Sequence, residues 1–360
     1  MKTQKTQNDV LNFGSCPADR LDFVDVWKGI GILLVVIAHV NYSQPLLTII
    51  YSFHMPLFFV MSGMLFKPQS YENFVSFIKK KSRSLLCPYV LFYLLSILYH
   101  IVVQFVADYN CMNWNLYLKY FFQMFLSQGS ANVANAPLWF VPCLMLVETI
   151  YYFVSKANRY IIVAASVLIT VLGWLFESDI LNFDNKLLPW SLDSAMFAVG
   201  FFAFGQLLSG PILKFAISIN SDRFSLVKHI VIILVCAVLL IPLALLNGKV
   251  SMGSKELNNG FLFYATGLIG SALVLSVGLL LKKSKFLAYC GKNSFYIMST
   301  HYLAREAIRM LYKFADIPIY DKTSLTETII PIIIVLCLSL SFVFVYNTIK
   351  SKAIAKFGVS

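Results

Sequence analysis

The residues best suited to chemistry stand in one stretch, Asp25 to His39, reading DVWKGIGILLVVIAH. It is an apolar run with a cation, Lys28, near one end and an imidazole, His39, near the other. An imidazole titrates near neutral pH, which suits it to take a proton from a hydroxyl. An ammonium is a compact point charge that suits a phosphate. In a helix these two residues, eleven positions apart, are separated by a rise of roughly 16 Å and return to within roughly 20° of the same face. Asp25, Ile32 and Val35 share that stripe. Lys28 has two readings. It snorkels to the headgroups or pairs with Asp25, or it anchors a phosphate at the inner mouth.

Further polar residues sit where lipid makes them costly, so each is a functional candidate as well as a structural one. His39 lies about fifteen residues into a first span, and His54, in FHMPLFFVMSG, about seven residues into a second span that runs the other way. His301 lies at a similar depth in a later span. Three histidines at one level predict a shared polar chamber, without the ligand placement that a metal site needs. Glu148 falls near mid-membrane and requires a partner, a histidine or Lys292. It reads equally as a structural pair and as an active-site group. Asn293 and Ser294 are candidate donors to an oxyanion. Asp193, Arg305, Glu306 and Arg309 lie nearer the outer rim. Arg305 and Glu306 read as structural, although Arg305 is one helical turn beyond His301 on the same face. The run KKKSR, Lys79 to Arg83, is a topology signal or an electrostatic dock for an anionic ligand, with Lys80 and Arg83 as its contacts. Trp139 and Trp190 fit an interfacial belt, and His100 and His229 have no supporting constellation.

The elements that position these residues are membrane helices. Hydrophobic residues make up 59% of the 360, charged residues only 13%, and mean hydropathy is +0.74. A water-facing domain has roughly a quarter of its residues charged, so this chain is an all-α integral membrane protein. The formal charge of +12 fits basic cytoplasmic loops better than nucleic acid. The seven cysteines include no CxxC pair and read as small core residues. No apolar leader precedes Asp25.

About ten spans are expected: Val26–Gln44, Leu47–Phe66, Leu85–Val106, Leu138–Val154, Ile161–Phe176, Leu188–Leu208, Ile230–Leu246, Phe261–Leu281, Leu287–Leu311 and Ile329–Ile349. With the N-terminus inside, about 19 lysines and arginines fall on inner segments and about 6 on outer loops. An even count also returns the C-terminus to the cytoplasm. The expected organisation is a cytoplasmic segment 1–25, one transmembrane domain 26–349 and a cytoplasmic tail 350–360, with no soluble catalytic domain. The outer segment LYLKYFFQMFLSQ is too short to span and reads as an interfacial helix. GSANVANAP after it is a loop and a candidate lid.

Several stretches together resemble the membrane-bound acyltransferase 3 family, particularly stand-alone sugar O-acetyltransferases grouped with fucose 4-O-acetylase. RLDFVDVWKGIGILLVVIAH is similar to the family's first span, with a basic residue, ten residues, then histidine. FHMPLFFVMSGMLF is similar to the second span, and KKKSRSLLCPY to the basic inner loop entering the third. LWFVPCLMLVE and GKNSFYIMSTH are similar to the fourth and ninth. The likeness runs from Arg20 to Ile349. It implies transfer of an acyl group, usually acetyl from acetyl-CoA, to a carbohydrate hydroxyl, possibly on a lipid-linked glycan, in a bacterial cell (inner) membrane. Acetyl-CoA would be a co-substrate, with no bound cofactor. Lys28 and His39 take the family's basic-plus-histidine pair. Many relatives carry arginine at the first position, and lysine lacks its bidentate phosphate geometry.

Three functions are open at this point. In an O-acyltransferase, Lys28, Lys80 and Arg83 hold the CoA phosphates, His39 is general base or acyl relay, and Glu148 or His54 orients it. A carrier or flippase of a lipid-linked sugar would use the same charges as a path, but no internal repeat is visible. A receptor or scaffold would leave the Lys28–His39 spacing without a purpose.

Overall fold

The computed structural model describes residues 22–40, 44–107, 112–129, 134–177, 188–218, 223–314 and 325–357. The N-terminal segment 1–21, residues 130–133 of the outer GSANVANAP loop and the end of the tail lie outside these. Fifteen α-helices follow in chain order. They are α1 Asp22–Val40, α2 Gln44–Tyr51, α3 His54–Leu65, α4 Phe74–Lys81, α5 Cys87–Ala107, α6 Trp114–Leu126, α7 Phe140–Val154 and α8 Arg159–Glu177. After them come α9 Leu192–Leu207, α10 Ser209–Ser218, α11 Arg223–Asn247, α12 Gly260–Leu280, α13 Lys285–Lys292, α14 Ser294–Phe314 and α15 Leu325–Phe357. Among the described residues there is no strand, only one antiparallel bridge between Ser251 and Glu256. The five described cysteines are free.

Among the described residues, eight helical segments are long and apolar enough to cross a bilayer, nine if α9 and α10, bent by 55°, count as one. Each overlaps one of the ten expected spans. The remaining expectation, Leu287–Leu311, is corrected. It divides at Asn293 into α13 and α14. Asn293 turns its amide back onto the Tyr289 carbonyl (2.9 Å), ending α13. Helix α14 is not among the segments apolar enough to cross a bilayer, and its Ser294, Tyr302 and Arg305 line the interior cavity described below.

The second span is also broken. Between α2 and α3 the chain turns at Ser52 and Phe53, and the Ile50 carbonyl there accepts from both Phe53 N–H (3.2 Å) and His54 Nδ1 (2.9 Å). Helix α4 passes into α5 through a π turn, Ser82–Leu86. Pro88 follows and has no N–H to give the Ser84 carbonyl, which favours the wider turn. The segment LYLKYFFQMFLSQ folds as a short helix, α6. Tyr117 and Met124 are buried and Phe121, Phe122 and Phe125 exposed. Tyr89 and Trp190 donate to its Met124 and Phe125 carbonyls.

Two close crossings set the geometry around α1 and α3. Gly29 meets the Leu287 backbone and Gly291 the Asp25 carbonyl, so α1 and α13 touch backbone to backbone. Gly63 meets Phe202 and Gly205 meets Val60 in the same way between α3 and α9. Membrane helices gain no hydrophobic driving force from each other, so small residues that admit close packing hold them together. Helix α14 then runs parallel to α1, with Gly291 beside Asp25 at one end and His301 beside His39 at the other. Helix α12 runs antiparallel. Its Gly278 lies against Trp27, while Thr266 reaches the Ser52 carbonyl. The loop before α12 therefore sits at the His39 end.

Candidate active site

One cavity of about 610 Å³ follows α1 from Lys28 to His39. Lys28, Ile32, Val35 and His39 all line it, so the stripe of α1 faces a single chamber. His54 and Arg305 line it too. His301 is fully buried directly behind His39.

The histidines form a row through Tyr51. Ring centroids are 5.0 Å apart for His301 and His39, 6.3 Å for His39 and Tyr51, and 4.9 Å for Tyr51 and His54. Backbone carbonyls fix their protons. Nδ1 of His39, His54 and His301 lies 2.9, 2.9 and 3.0 Å from the carbonyl oxygens of Val35, Ile50 and Ile297. A carbonyl only accepts, so each Nδ1 carries the hydrogen and each neutral ring keeps its lone pair at Nε2. His301 Nε2 lies 3.2 Å from His39 Nδ1 and accepts from it as a second partner. The proton of His39 is thus pinned at Nδ1 from two sides, and Nε2 is the basic atom.

Arg305 secures the end of the same helix. Its Nη1 donates to the His39 carbonyl (3.1 Å), one of the carbonyls that a helix C-terminus leaves without an internal partner. The guanidinium also lies over the Tyr302 ring, 4.4 Å from its centroid, and is held by Glu306.

The other candidates separate. Glu148 does not line the cavity and pairs with neither a histidine nor Lys292. Its Oε1 accepts from Lys81 Nζ at 2.6 Å, because the basic run before α5 packs against α7. Lys292 instead lies 3.9 Å from Asp25, so Asp25 is turned toward α13 rather than into the chamber. Lys80 and Arg83 are exposed outside the cavity, with Lys80 5.3 Å above the Tyr71 ring. Ser294 lines the cavity at the Lys28 end. Asn293 does not, and its amide is committed to Tyr289 and Asn347. Asp193 pairs with Lys255 at 3.1 Å. His100 donates through Nε2 to the Ala134 carbonyl and tethers the loop leading to Trp139.

Sequence reasoning missed Tyr51, Tyr302 and the segment from Lys249 to Glu256, all part of the wall. Trp139, assigned to an interfacial belt, is buried and lines the cavity. Tyr51 sits three residues before His54, one helical turn, and was the one signal available; the loop gave none. Among the described residues, no three His, Cys, Asp or Glu side chains are grouped to hold a metal ion.

This arrangement places a base toward one end of a long, partly apolar slot and a cation toward the other. That suits an extended donor lying along α1 and an acceptor meeting it at His39. A family model described as an acyltransferase domain, that of the acyltransferase 3 family, matches residues 21–347. No curated protein and no solved structure matches the chain. The chain belongs to the acyltransferase 3 family, and it is a multi-pass membrane enzyme that moves acyl groups other than aminoacyl groups from a donor to an acceptor.

Proposed function

We propose that this enzyme is a sugar O-acetyltransferase of a bacterial inner membrane, with both termini cytoplasmic, that moves acetyl from acetyl-CoA to a carbohydrate hydroxyl. The observation that carries the reading is that Lys28 and His39 face one cavity while the chain itself keeps His39 Nε2 unprotonated. The donor enters from the Lys28 end. Lys28 meets its phosphates, with Lys80 and Arg83 outside the cavity as an electrostatic approach. The pantetheine arm lies along Ile32 and Val35, and its length is comparable to the roughly 16 Å rise of α1.

His39 Nε2 takes the proton of the acceptor hydroxyl as its oxygen attacks the thioester carbon. The imidazolium that forms keeps its Nδ1–H on Val35 and His301. When the tetrahedral intermediate collapses, the C–S bond breaks and Nε2–H returns the proton to the leaving thiolate. Atoms balance with no further reactant. A carrier has no comparable support, since the row of histidines serves proton transfer and the family is one of transferases.

The test is a His39→Ala variant of the full chain, confirmed as inserted, assayed with acetyl-CoA and carbohydrate acceptors. The expected loss is about 10³-fold in kcat, within the range for general acid–base groups. Retained acetylation would remove the base from His39. Mass spectrometry of surface glycans from a deletion strain should show missing acetyl groups.

A further inference from the structure

Between α11 and α12 the chain forms a compact loop that closes the His39 end of the cavity. Lys249, Ser251, Met252, Gly253, Ser254 and Glu256 all contribute to the wall. The loop is built rather than slack. Ser251 and Glu256 form a backbone bridge in which Ser251 N donates to the Glu256 carbonyl (2.6 Å) and Glu256 N to the Ser251 carbonyl (2.9 Å). Ser194 Oγ donates to the Met252 carbonyl (2.8 Å), and Lys255 pairs with Asp193. Asn247 and Asn258 stitch the neck through the Leu257, Asn247 and Lys249 carbonyls. Gly253 lies so close to the Trp139 indole that a side chain there would displace the ring.

The tethers use the loop's backbone and its buried residues Val250, Met252 and Leu257. The Lys249 and Glu256 side chains are left exposed at the rim. Trp139, Tyr302 and Arg305 line the same cavity, with Trp139 against Gly253 of the loop. An aromatic face with a carboxylate and an ammonium at its edge matches a hydroxyl-rich ring. The ring's C–H face packs on the indole, and vicinal hydroxyls donate to the carboxylate and accept from the ammonium. The opposite end, with Lys28, suits an anion.

We infer that the 249–256 loop together with Trp139 is the acceptor subsite, and that Glu256 and Lys249 select a pyranose ring by gripping its hydroxyls. This rests on the O-acetyltransferase reading above. It assigns the two ends of the cavity to two different substrates: donor at Lys28, acceptor at the loop. The rigid tethering means the subsite is shaped before the sugar arrives, so binding costs little ordering.

The experiment uses the full chain in nanodiscs with acetyl-CoA as donor. The acceptors are p-nitrophenyl glycosides of a hexose, a 6-deoxyhexose and an N-acetylhexosamine. Glu256→Gln and Lys249→Gln, both at exposed side chains, should raise the acceptor KM about tenfold, the scale of one lost hydrogen bond to a charged group. The KM for acetyl-CoA and the thermal unfolding midpoint should stay at the wild-type values. An acceptor KM that does not move, or an equal rise in the acetyl-CoA KM, overturns the subsite while leaving the transferase reading intact. A wild-type enzyme that hydrolyses acetyl-CoA but acetylates none of the three glycosides overturns the carbohydrate reading, and the subsite with it.

Discussion

At the scale of the residue, the site turns on where one proton sits. His39 is a useful base only if Nδ1 holds the hydrogen, and two acceptors, the Val35 carbonyl and His301 Nε2, hold it there. His301 touches no substrate in this scheme. It is a positioning residue, buried behind the base. Replacing it with leucine keeps the volume and removes the acceptor. The expected result is a fall of about 10–100-fold in kcat, smaller than loss of the base itself, with both KM values unchanged. His301→Gln retains an amide oxygen that accepts from His39 Nδ1–H, so it should recover part of the loss. Steady-state kinetics of the two variants checks this, and equal kcat for leucine and wild type would remove His301 from the mechanism.

The elements carry a different kind of residue. Glu148 looks functional by depth and charge, yet it joins α7 to the basic end of α4 through Lys81. Removing one member of a buried pair strands the other charge, at a cost of about 3 kcal/mol, whereas removing both can be close to neutral. Glu148→Leu should therefore lower thermal stability markedly, and the double variant Lys81→Leu/Glu148→Leu should restore most of it, with acetyl transfer returning alongside. Unfolding curves and activity measured on the same preparations decide the point. Restored stability without restored activity would return Glu148 to the active site. The crossings of α1 with α13 and of α3 with α9 act at this scale too. Their glycines bring the backbones together, and the helices that carry Lys28, His39 and His54 are thereby fixed against their neighbours.

For the whole molecule, the slot along α1 gives the enzyme two ends, and the proposed orientation turns the Lys28 end to the cytosol. The exposed Lys79, Lys80 and Arg83 lie near the inner end of that scheme, and Lys249 at the other. In a background without native cysteines, Lys249→Cys should react with an impermeant maleimide in intact cells. Arg83→Cys should react only after permeabilisation. The reverse pattern would invert the topology and assign the donor to the opposite side of the membrane.

Much of this was legible in the residues. Long apolar runs dictate membrane helices because lipid leaves backbone groups no other partners, and the helical repeat by itself puts Lys28 and His39 on one face. The histidines counted to one level along their spans also lie in one row in the structure. What the chain could not reveal locally was pairing between distant segments. Glu148 and Lys81 are 67 residues apart and His39 and His301 are 262 apart, and nothing in either neighbourhood names its partner. Periodicity likewise could not locate the break at Asn293, so the stretch that forms α13 and α14 reads as one span, Leu287–Leu311. The loop at 249–256 has no pattern at all. It became part of the site only because α12 folds back antiparallel to α1 and delivers it to the mouth beside His39. Composition and period decide which segments cross the membrane; packing of one helix on another decides which side chains meet.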